Sequence, residues 1–391
     1  MRTESMPVIE LNGTPRERGR NYGETVKPQI AEVIENWRGM FGSFSDYIHN
    51  TQSDLPINAE QYLKEFFSNT NYVGAIKQWA PELMDEVKGI AEGATQSIEN
   101  VLGLQMLDEE WMFGLRRGLA RPVSKCTAFG VTNKAGGSSY AGQNMDVGSW
   151  VEGRQVLLRI TPSDSKPQAL IFSMAGNIGL NGLNAYGIGI TCNTLPQLNY
   201  AVDGLPVAFI VRSILTKKNL NEAEAFLRTI KHASGQNYIL SASGDMRCFE
   251  CCGTSVIRYY PENATQRVFH SNHPLVSQDE CAELPLEKMH SPNSIARLTS
   301  ISNRLGNEAN TPTIEQIKAA LAAHDDPDNP VSRNTNKQGS LIGYTAGSAI
   351  YEFDPAPRLH LAAGPPCETD YKVFGFTNEL MARSEEVIFN D

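Results

Sequence analysis

Lys125-Cys126-Thr127-Ala128-Phe129-Gly130, followed about one hairpin later by Gly142-Gln143-Asn144-Met145-Asp146, is the stretch on which the fold turns. Up to about residue 118 the chain reads as mainly helical; from Cys126 onward it reads as short strands rich in β-branched and aromatic residues. Strands are predicted over 126–132, 138–144, 155–161, 169–174 and 187–193, with Gly and Asn between them as hairpin turns require. A helical pair over 206–216 and 222–231 interrupts them. Strands resume over 237–242, 246–251, 255–260 and 266–270, then come helices over 293–304 and 313–323 and a last strand pair over 341–353 and 358–363. Runs of strands broken by paired helices imply an α+β fold with antiparallel sheets, not a doubly wound nucleotide-binding fold.

Before Cys126, Val8-Ile9-Glu10-Leu11 reads as a short strand. Thr14-Pro15-Arg16-Glu17 is a capping box with proline at the first helical position, opening a helix to about Arg38. A second helix starts at Pro81, with Leu83, Val87, Ile90 and Ala91 on one face and Gly93 near its end, and a third spans about 101–115. His324 to Gln338, rich in Asp, Asn, Pro and Ser, reads as a surface loop. The 391 residues suffice for a sizeable core, and a net charge of -10 argues against nucleic acid or an anionic membrane as the main partner. No apolar run at the start reads as a secretory signal, and no window reaches the length of a membrane span. Seven cysteines without framework spacing read as free thiols in a reducing cytoplasm.

A thiol attacks an amide or thioester as thiolate and so needs a base. If the Lys125–Cys126 bond is cut, the α-amine of Cys126, with a reference pKa of about 8, supplies that base to a thiol of about 8.5. No histidine is then required, and none of the seven lies in a protease-type context. Asp146 is the carboxylate that returns on the next strand. Asn193 and Asn272, both at strand ends, carry amides suited to an oxyanion, although either read alone is an ordinary turn residue.

Ile9-Glu10-Leu11-Asn12-Gly13-Thr14-Pro15-Arg16-Glu17-Arg18-Gly19 with Tyr22-Gly23, then Cys126-Thr127 with Gln143-Asn144-Met145-Asp146, then Ser332-Arg333, then Gly364-Pro365-Pro366-Cys367 with Tyr371, follow one another along nearly the whole chain. In that order and spacing they resemble the acyl-coenzyme A:6-aminopenicillanic acid acyltransferase (isopenicillin N acyltransferase) family, the C45 peptidases of the N-terminal-nucleophile hydrolases. The resemblance implies an αββα four-layer sandwich made as a precursor. Self-cleavage between Lys125 and Cys126 would leave residues 1–125 as a helical small chain and 126–391 as the catalytic core, together one folded unit. It further implies Cys126 as nucleophile, Asp146 as partner of its amine, Asn193 and Asn272 as oxyanion donors, and Arg333 as the charge that fixes the site or meets a substrate carboxylate. Lys125 stands where glycine is common, Gln105-Met106-Leu107-Asp108-Glu109 where relatives have Asn-x-Arg-x-Glu, and Ser332-Arg333-Asn334 where Cys-Arg-His is usual.

The activity so implied is acyl transfer from an amide or thioester through an acyl-thioester on Cys126 to water or an amine. Candidate substrates are small acylated amines, among them N-acyl amino acids, β-lactam side chains and β-alanyl amines. Acyl-CoA is a conceivable donor, no cofactor is required, and self-association is left open. Thr127 and Trp150 are candidates for the walls of the acyl pocket. Asp108-Glu109-Glu110 reads as a solvated helix face, with a role gating the propeptide as the alternative, and Cys367 as a packed C-terminal thiol. Cys251-Cys252 with His270 and His273 could suggest zinc, but adjacent cysteines chelate poorly. Two rival functions follow: an uncleaved scaffold or binding protein of the same fold, and a metal-dependent hydrolase using His270 and His273.

Overall fold

A computed structural model describes residues 6–48, 58–117, 126–133, 137–261, 266–281, 292–334 and 344–376. Lys125 and the first residues of the predicted strand 341–353 lie outside them.

The opening strand β1 (Val8–Gly13) leads into α1 (Pro15–Thr25), and the predicted capping box is in place, with the Thr14 N–H donating to Glu17 Oε2 at 2.8 Å. The predicted single helix is two: α1 stops at Val26, whose φ of -123° leaves the helical region, and α2 (Lys27–Ile48) follows. Next come α3 (Ala59–Ser68) and α4 (Tyr72–Trp79), which the sequence reading did not anticipate, and α5 (Pro81–Ala94). The predicted helix over 101–115 is likewise broken, into α6 (Ile98–Leu104) and α7 (Leu107–Arg116). Gly19 and Gly23 of α1 meet Gly89 and Gly93 of α5 backbone to backbone. A Cβ on Gly19 would stand 1.9 Å from the Glu86 carbonyl oxygen, and one on Gly93 2.2 Å from that of Arg20. Only glycine permits this approach. Beside it Glu86, fully buried, pairs with Arg18 at 3.1 Å and Arg212 at 2.6 Å. Burial pushes the Glu86 carboxyl up, but the two guanidiniums outweigh it and hold it below its ordinary value.

From Cys126 the chain builds β2 (Thr127–Val131), β3 (Tyr140–Val147), β4 (Gln155–Pro162), β5 (Ala169–Met174), β6 (Asn181–Asn184) and β7 (Gly189–Thr194). After α8 (Val207–Ile214) and α9 (Leu220–Thr229) come β8 (Gln236–Ala242), β9 (Asp245–Cys251), β10 (Val256–Tyr259) and β11 (Arg267–His270). Then α10 (Pro292–Leu305), α11 (Ile314–Leu321), β12 (Tyr344–Glu352), β13 (Arg358–Ala362) and β14 (Lys372–Gly375) complete the described elements. The short strands β6 and β14 were not predicted. One sheet has eight strands in the order β1-β4-β5-β6-β7-β8-β9-β10, the other six in the order β11-β2-β3-β12-β13-β14. The pairing is antiparallel except between β1 and β4, which run parallel and correct the all-antiparallel expectation.

The sheets face each other, β2 and β3 over β7 and β8, and β12 over β6; α1, α8 and α9 cover the larger sheet and α10 the smaller. Gly347 of β12 comes so close to Phe172 of β5 that a Cβ there would lie 2.3 Å from the ring. This is the αββα sandwich, α+β in class. One apolar cluster runs from Ile9 and Leu11 through the α2 and α5 faces to Tyr351 and Leu361, so residues before and after Cys126 share a core. Among the described residues no helix is long and apolar enough to cross a membrane. The predicted surface loop begins exposed at His324 and Asp325 but is buried from Pro330 to Arg333.

Candidate functional site

Cys126 stands just before β2 and is 3% exposed. The register Thr127↔Asn144 sets it beside the far end of β3. There its thiol donates to Met145 Sδ at 3.3 Å and lies 4.0 Å from the Asp146 carbonyl oxygen. Asp146 lies within β3, not after it as predicted, and is fully buried opposite Thr345 of β12. Thr345 Oγ1 donates to Asp146 Oδ1 at 2.6 Å and accepts the Arg333 N–H at 3.0 Å. The second carboxylate oxygen, Oδ2, is buried with no hydrogen-bond partner among the described residues. Burial pushes the Asp146 carboxyl above its ordinary value, and the charges of Arg333 and Arg297 only partly oppose this.

Asn193 and Asn272 come from different sheets: Asn193 belongs to β7 of the sheet opposite Asp146, whereas Asn272 follows β11 of the same sheet, at the end where β3 carries Asp146. The Oδ1 of Asn193 accepts from Asn237 at 3.0 Å, while its Nδ2 is fully buried without a partner among the described residues. Asn272 is more committed, with Nδ2 donating to the Thr194 carbonyl at 3.0 Å and Oδ1 accepting from Arg297 at 2.9 Å. The segment carrying it is gathered by Glu250. Its carboxylate accepts the N–H groups of Leu275, Val276 and Ser277 and lies 2.9 Å from His270 Nε2. These bonds outweigh burial and hold Glu250 below its ordinary value.

Arg297 is the residue the sequence reading missed. Fully buried on α10, it donates to the Cys126 carbonyl at 2.5 Å, Thr127 Oγ1 at 2.8 Å and Asn272 Oδ1, tying Cys126 to the Asn272 amide. Burial draws its pKa down to about 10, with the charge of Asp146 opposing. A signal existed: Arg297, Ile301 and Leu305 recur every fourth residue on the buried face of α10. Thr345 and Gln143 (whose carboxamide joins β3 to β7) were also missed as site residues, for their partners are distant in sequence.

The remaining expectations divide. The Thr127 hydroxyl is buried and accepts from Arg297. Trp150 is half-buried in a short 3-10 turn (Ser149–Val151), its carbonyl 3.5 Å from Asn36 Nδ2. Arg333, 4% exposed, joins Asp146 through Thr345. Cys367 is half-buried, its N–H on Ser332 Oγ at 3.4 Å, beside a cavity of about 510 Å³ that Ser332, Asn334 and Glu368 also line. The solvated helix face is wrong: Glu109 and Glu110 are 1% and 5% exposed. Asp108 accepts from Thr194 Oγ1 and Gln236 Nε2, and Glu109 from Ser234 Oγ at 2.7 Å and the Val207 N–H at the start of α8. Burial first, then Asp108, pushes Glu109 up to about 7. Both ring nitrogens of His270 are engaged, by Glu250 and the Ser271 carbonyl. His273 Nδ1 is held by Ser294, and no group of three metal-binding side chains occurs among the described residues.

A family model described as acyl-coenzyme A:6-aminopenicillanic acid acyl-transferase matches residues 132–359, beginning just past Cys126 and including Asp146, Asn193, Asn272, Arg297 and Arg333. The 40 kDa form of acyl-coenzyme A:6-aminopenicillanic-acid-acyltransferase of Emericella nidulans is 25% identical over 276 residues, which are 70% of this chain and 71% of that protein. Among solved structures, penicillin V acylase from Agrobacterium tumefaciens has a TM-score of 0.44 at 14% identity, over 65% of this chain and 87% of its own. The conjugated bile acid hydrolase variant R18L from Clostridium perfringens has a TM-score of 0.42 at 12% identity, over 64% and 97%. The family match spans more than half of the sequence, and this chain belongs to the acyl-coenzyme A:6-aminopenicillanic acid acyl-transferase family.

Proposed function

We propose that this protein is a self-processing N-terminal cysteine acyltransferase or amidohydrolase acting on small acylated amines. The observation that carries the reading is a pair of open, buried valences, one on β3 beside Cys126 and one on β7 of the facing sheet. Asp146 Oδ2 lacks a donor and Asn193 Nδ2 lacks an acceptor among the described residues. A buried polar group without a partner costs about 1–3 kcal/mol, so a fold keeps such groups where something arrives to meet them. The α-amine released by cleavage before Cys126 supplies a donor for Asp146. The oxygen of an acyl group under attack supplies an acceptor for Asn193.

In this reading Cys126 Sγ bonds to the substrate carbonyl carbon, and the thiol proton passes to the α-amine, which Asp146 orients. That amine then protonates the leaving nitrogen, giving an acyl-thioester on Cys126. Water or an acceptor amine displaces the sulfur in the second half. Arg297 holds the Cys126 carbonyl and Asn272 in place throughout, and Arg333 braces the Asp146 side through Thr345. Residues 1–125 remain attached after the cut through the β1–β4 pairing and the shared core. Acyl-CoA suits the same chemistry as donor.

The test is intact mass and a denaturing gel on freshly purified protein, beside Cys126→Ala. Fragments of 125 and 266 residues in the wild type, the larger beginning at Cys126, and one 391-residue chain in the variant are expected. A wild-type chain that stays whole and takes no acyl group at Cys126 would overturn the reading in favour of a binding protein.

A further inference from the structure

The two sheets that meet at the site are not continuous; side chains such as Gln155 and Tyr351 bond across them, and one such link lies beside Cys126. Gln143 of β3 is fully buried, and its carboxamide bonds both peptide groups of Cys192 in β7: the Cys192 N–H donates to Oε1 at 2.8 Å, and Nε2 donates to the Cys192 carbonyl at 3.1 Å. A planar amide here does what a neighbouring strand would do. No strand is there to do it, because β6 pairs with β7 only through Gly182↔Ile190 and Leu183↔Gly189, and the edge of β7 runs on beyond its reach. One residue further along β7 is Asn193, with its open Nδ2. Two residues further along β3 is Met145, whose Sδ holds the Cys126 thiol at 3.3 Å and lies 3.8 Å from Gln143 Nε2.

We propose that Gln143 is a positioning residue that locks the nucleophile strand to the strand carrying the oxyanion donor, and so sets the gap that receives the acyl carbonyl. This rests on the reading of Cys126 as nucleophile and Asn193 as donor. Its chemistry is specific. An apolar side chain of the same size leaves two buried peptide groups unsatisfied and frees β7 to shift, and oxyanion donors work only within about 2.7–3.1 Å of the developing charge. A protonated glutamic acid, by contrast, both accepts and donates as the amide does; its carboxylate can only accept, and would face the Cys192 carbonyl oxygen.

Two reactions of one thiol separate positioning from general disruption. In alkylation by iodoacetamide, Cys126 Sγ displaces iodide and no carbonyl oxygen gains charge. In acylation by p-nitrophenyl butyrate, Sγ bonds to the acyl carbon, the ester C–O bond breaks, p-nitrophenolate leaves, and the thiol proton goes to the α-amine or to solvent. Both are read as the mass of the Cys126 peptide in wild type, Gln143→Met, Gln143→Glu, Asn193→Ala and the Gln143→Met/Asn193→Ala pair. The expected result is a ratio of acylation to alkylation reduced by about ten- to a hundredfold in Gln143→Met, with alkylation itself within about twofold of wild type. Asn193→Ala should then cost much less in the Gln143→Met background than in the wild type. If Gln143→Met does not fold, Gln143→Glu gives the answer within a single protein: its ratio should rise towards the wild-type value as the pH falls and the introduced carboxylate takes up a proton, while the wild-type ratio stays flat. A wild-type ratio in Gln143→Met, a flat one in Gln143→Glu, or full additivity with Asn193→Ala overturns the proposal. A wild type that acylates other cysteines but not Cys126 overturns the nucleophile reading itself, and the proposal with it.

Discussion

The buried polar clusters around Glu86 and around Cys126 are built on opposite principles. Around Glu86 every charge is answered. Arg18 also donates to the Gly13 carbonyl at 2.7 Å and Arg212 to that of Ile178 at 3.0 Å, and none of the three side chains has an orphaned polar atom. Around Cys126 the cluster is left incomplete, with Asp146 Oδ2 and Asn193 Nδ2 both buried and open. The first therefore keeps its carboxylate ionised by its own partners, and the second burdens its carboxylate with burial. A closed network holds helices together; an open one has room for groups that, in the proposed function, cleavage and substrate would bring. Much of the opening signature, Arg18 and Gly19 to Tyr22 and Gly23, serves the closed cluster: Tyr22 bonds the Met174 carbonyl and the Gly176 N–H, and the glycines let α1 touch α5.

The contrast can be broken from either side. Glu86→Ala should have the largest effect on the fold, since it strands two buried guanidiniums. A loss of about 3–5 kcal/mol in urea denaturation is expected, and a loss below about 1 kcal/mol would show that the cluster is not closed. Asp146→Asn should do the reverse. It removes a buried, poorly compensated charge, so stability should hold or rise, while cleavage and acyl transfer fall by about a hundredfold or more. Equal losses of stability in both variants would erase the distinction.

Glu109 sharpens the comparison, being another buried carboxylate, on α7 and with Oε2 unpartnered among the described residues. Its folded value of about 7 lies above its ordinary 4.5. The folded state therefore binds the proton more tightly, and stability falls as pH rises between these values. Glu109→Gln should abolish that decline: its advantage over wild type in thermal unfolding should grow from pH 4.5 to 7 and reach roughly 2–3 kcal/mol. A difference that does not change with pH would mean that burial leaves the Glu109 carboxyl at its ordinary value.

The β2–β3 strand pair was legible in the sequence because both strands are local and separated by one hairpin; the cap at Thr14 was legible for the same reason. The boundaries of most later elements fell within a few residues of those predicted. Breaks were harder: the stop at Val26, two residues before Pro28, and the division between α6 and α7 were both read through. Acidic residues misled most. Asp108-Glu109-Glu110 has the composition of a wet surface, yet α7 lies against β7, β8 and the start of α8, whose hydroxyl, amide and N–H groups bond Asp108 and one oxygen of Glu109.

The sequence alone determined the class of fold, the candidate nucleophile and the carboxylate beside it, because strand periodicity and a hairpin fix neighbours through the chain itself. Tertiary structure decided which distant groups complete the centre. Asn193 faces it from the other sheet, and Arg297 reaches it from α10. Thr345 bonds across from β12, and Gln143 finds Cys192, 49 positions further along the chain. Such pairings leave no periodic trace, since the partner of a buried polar group is chosen by packing in three dimensions.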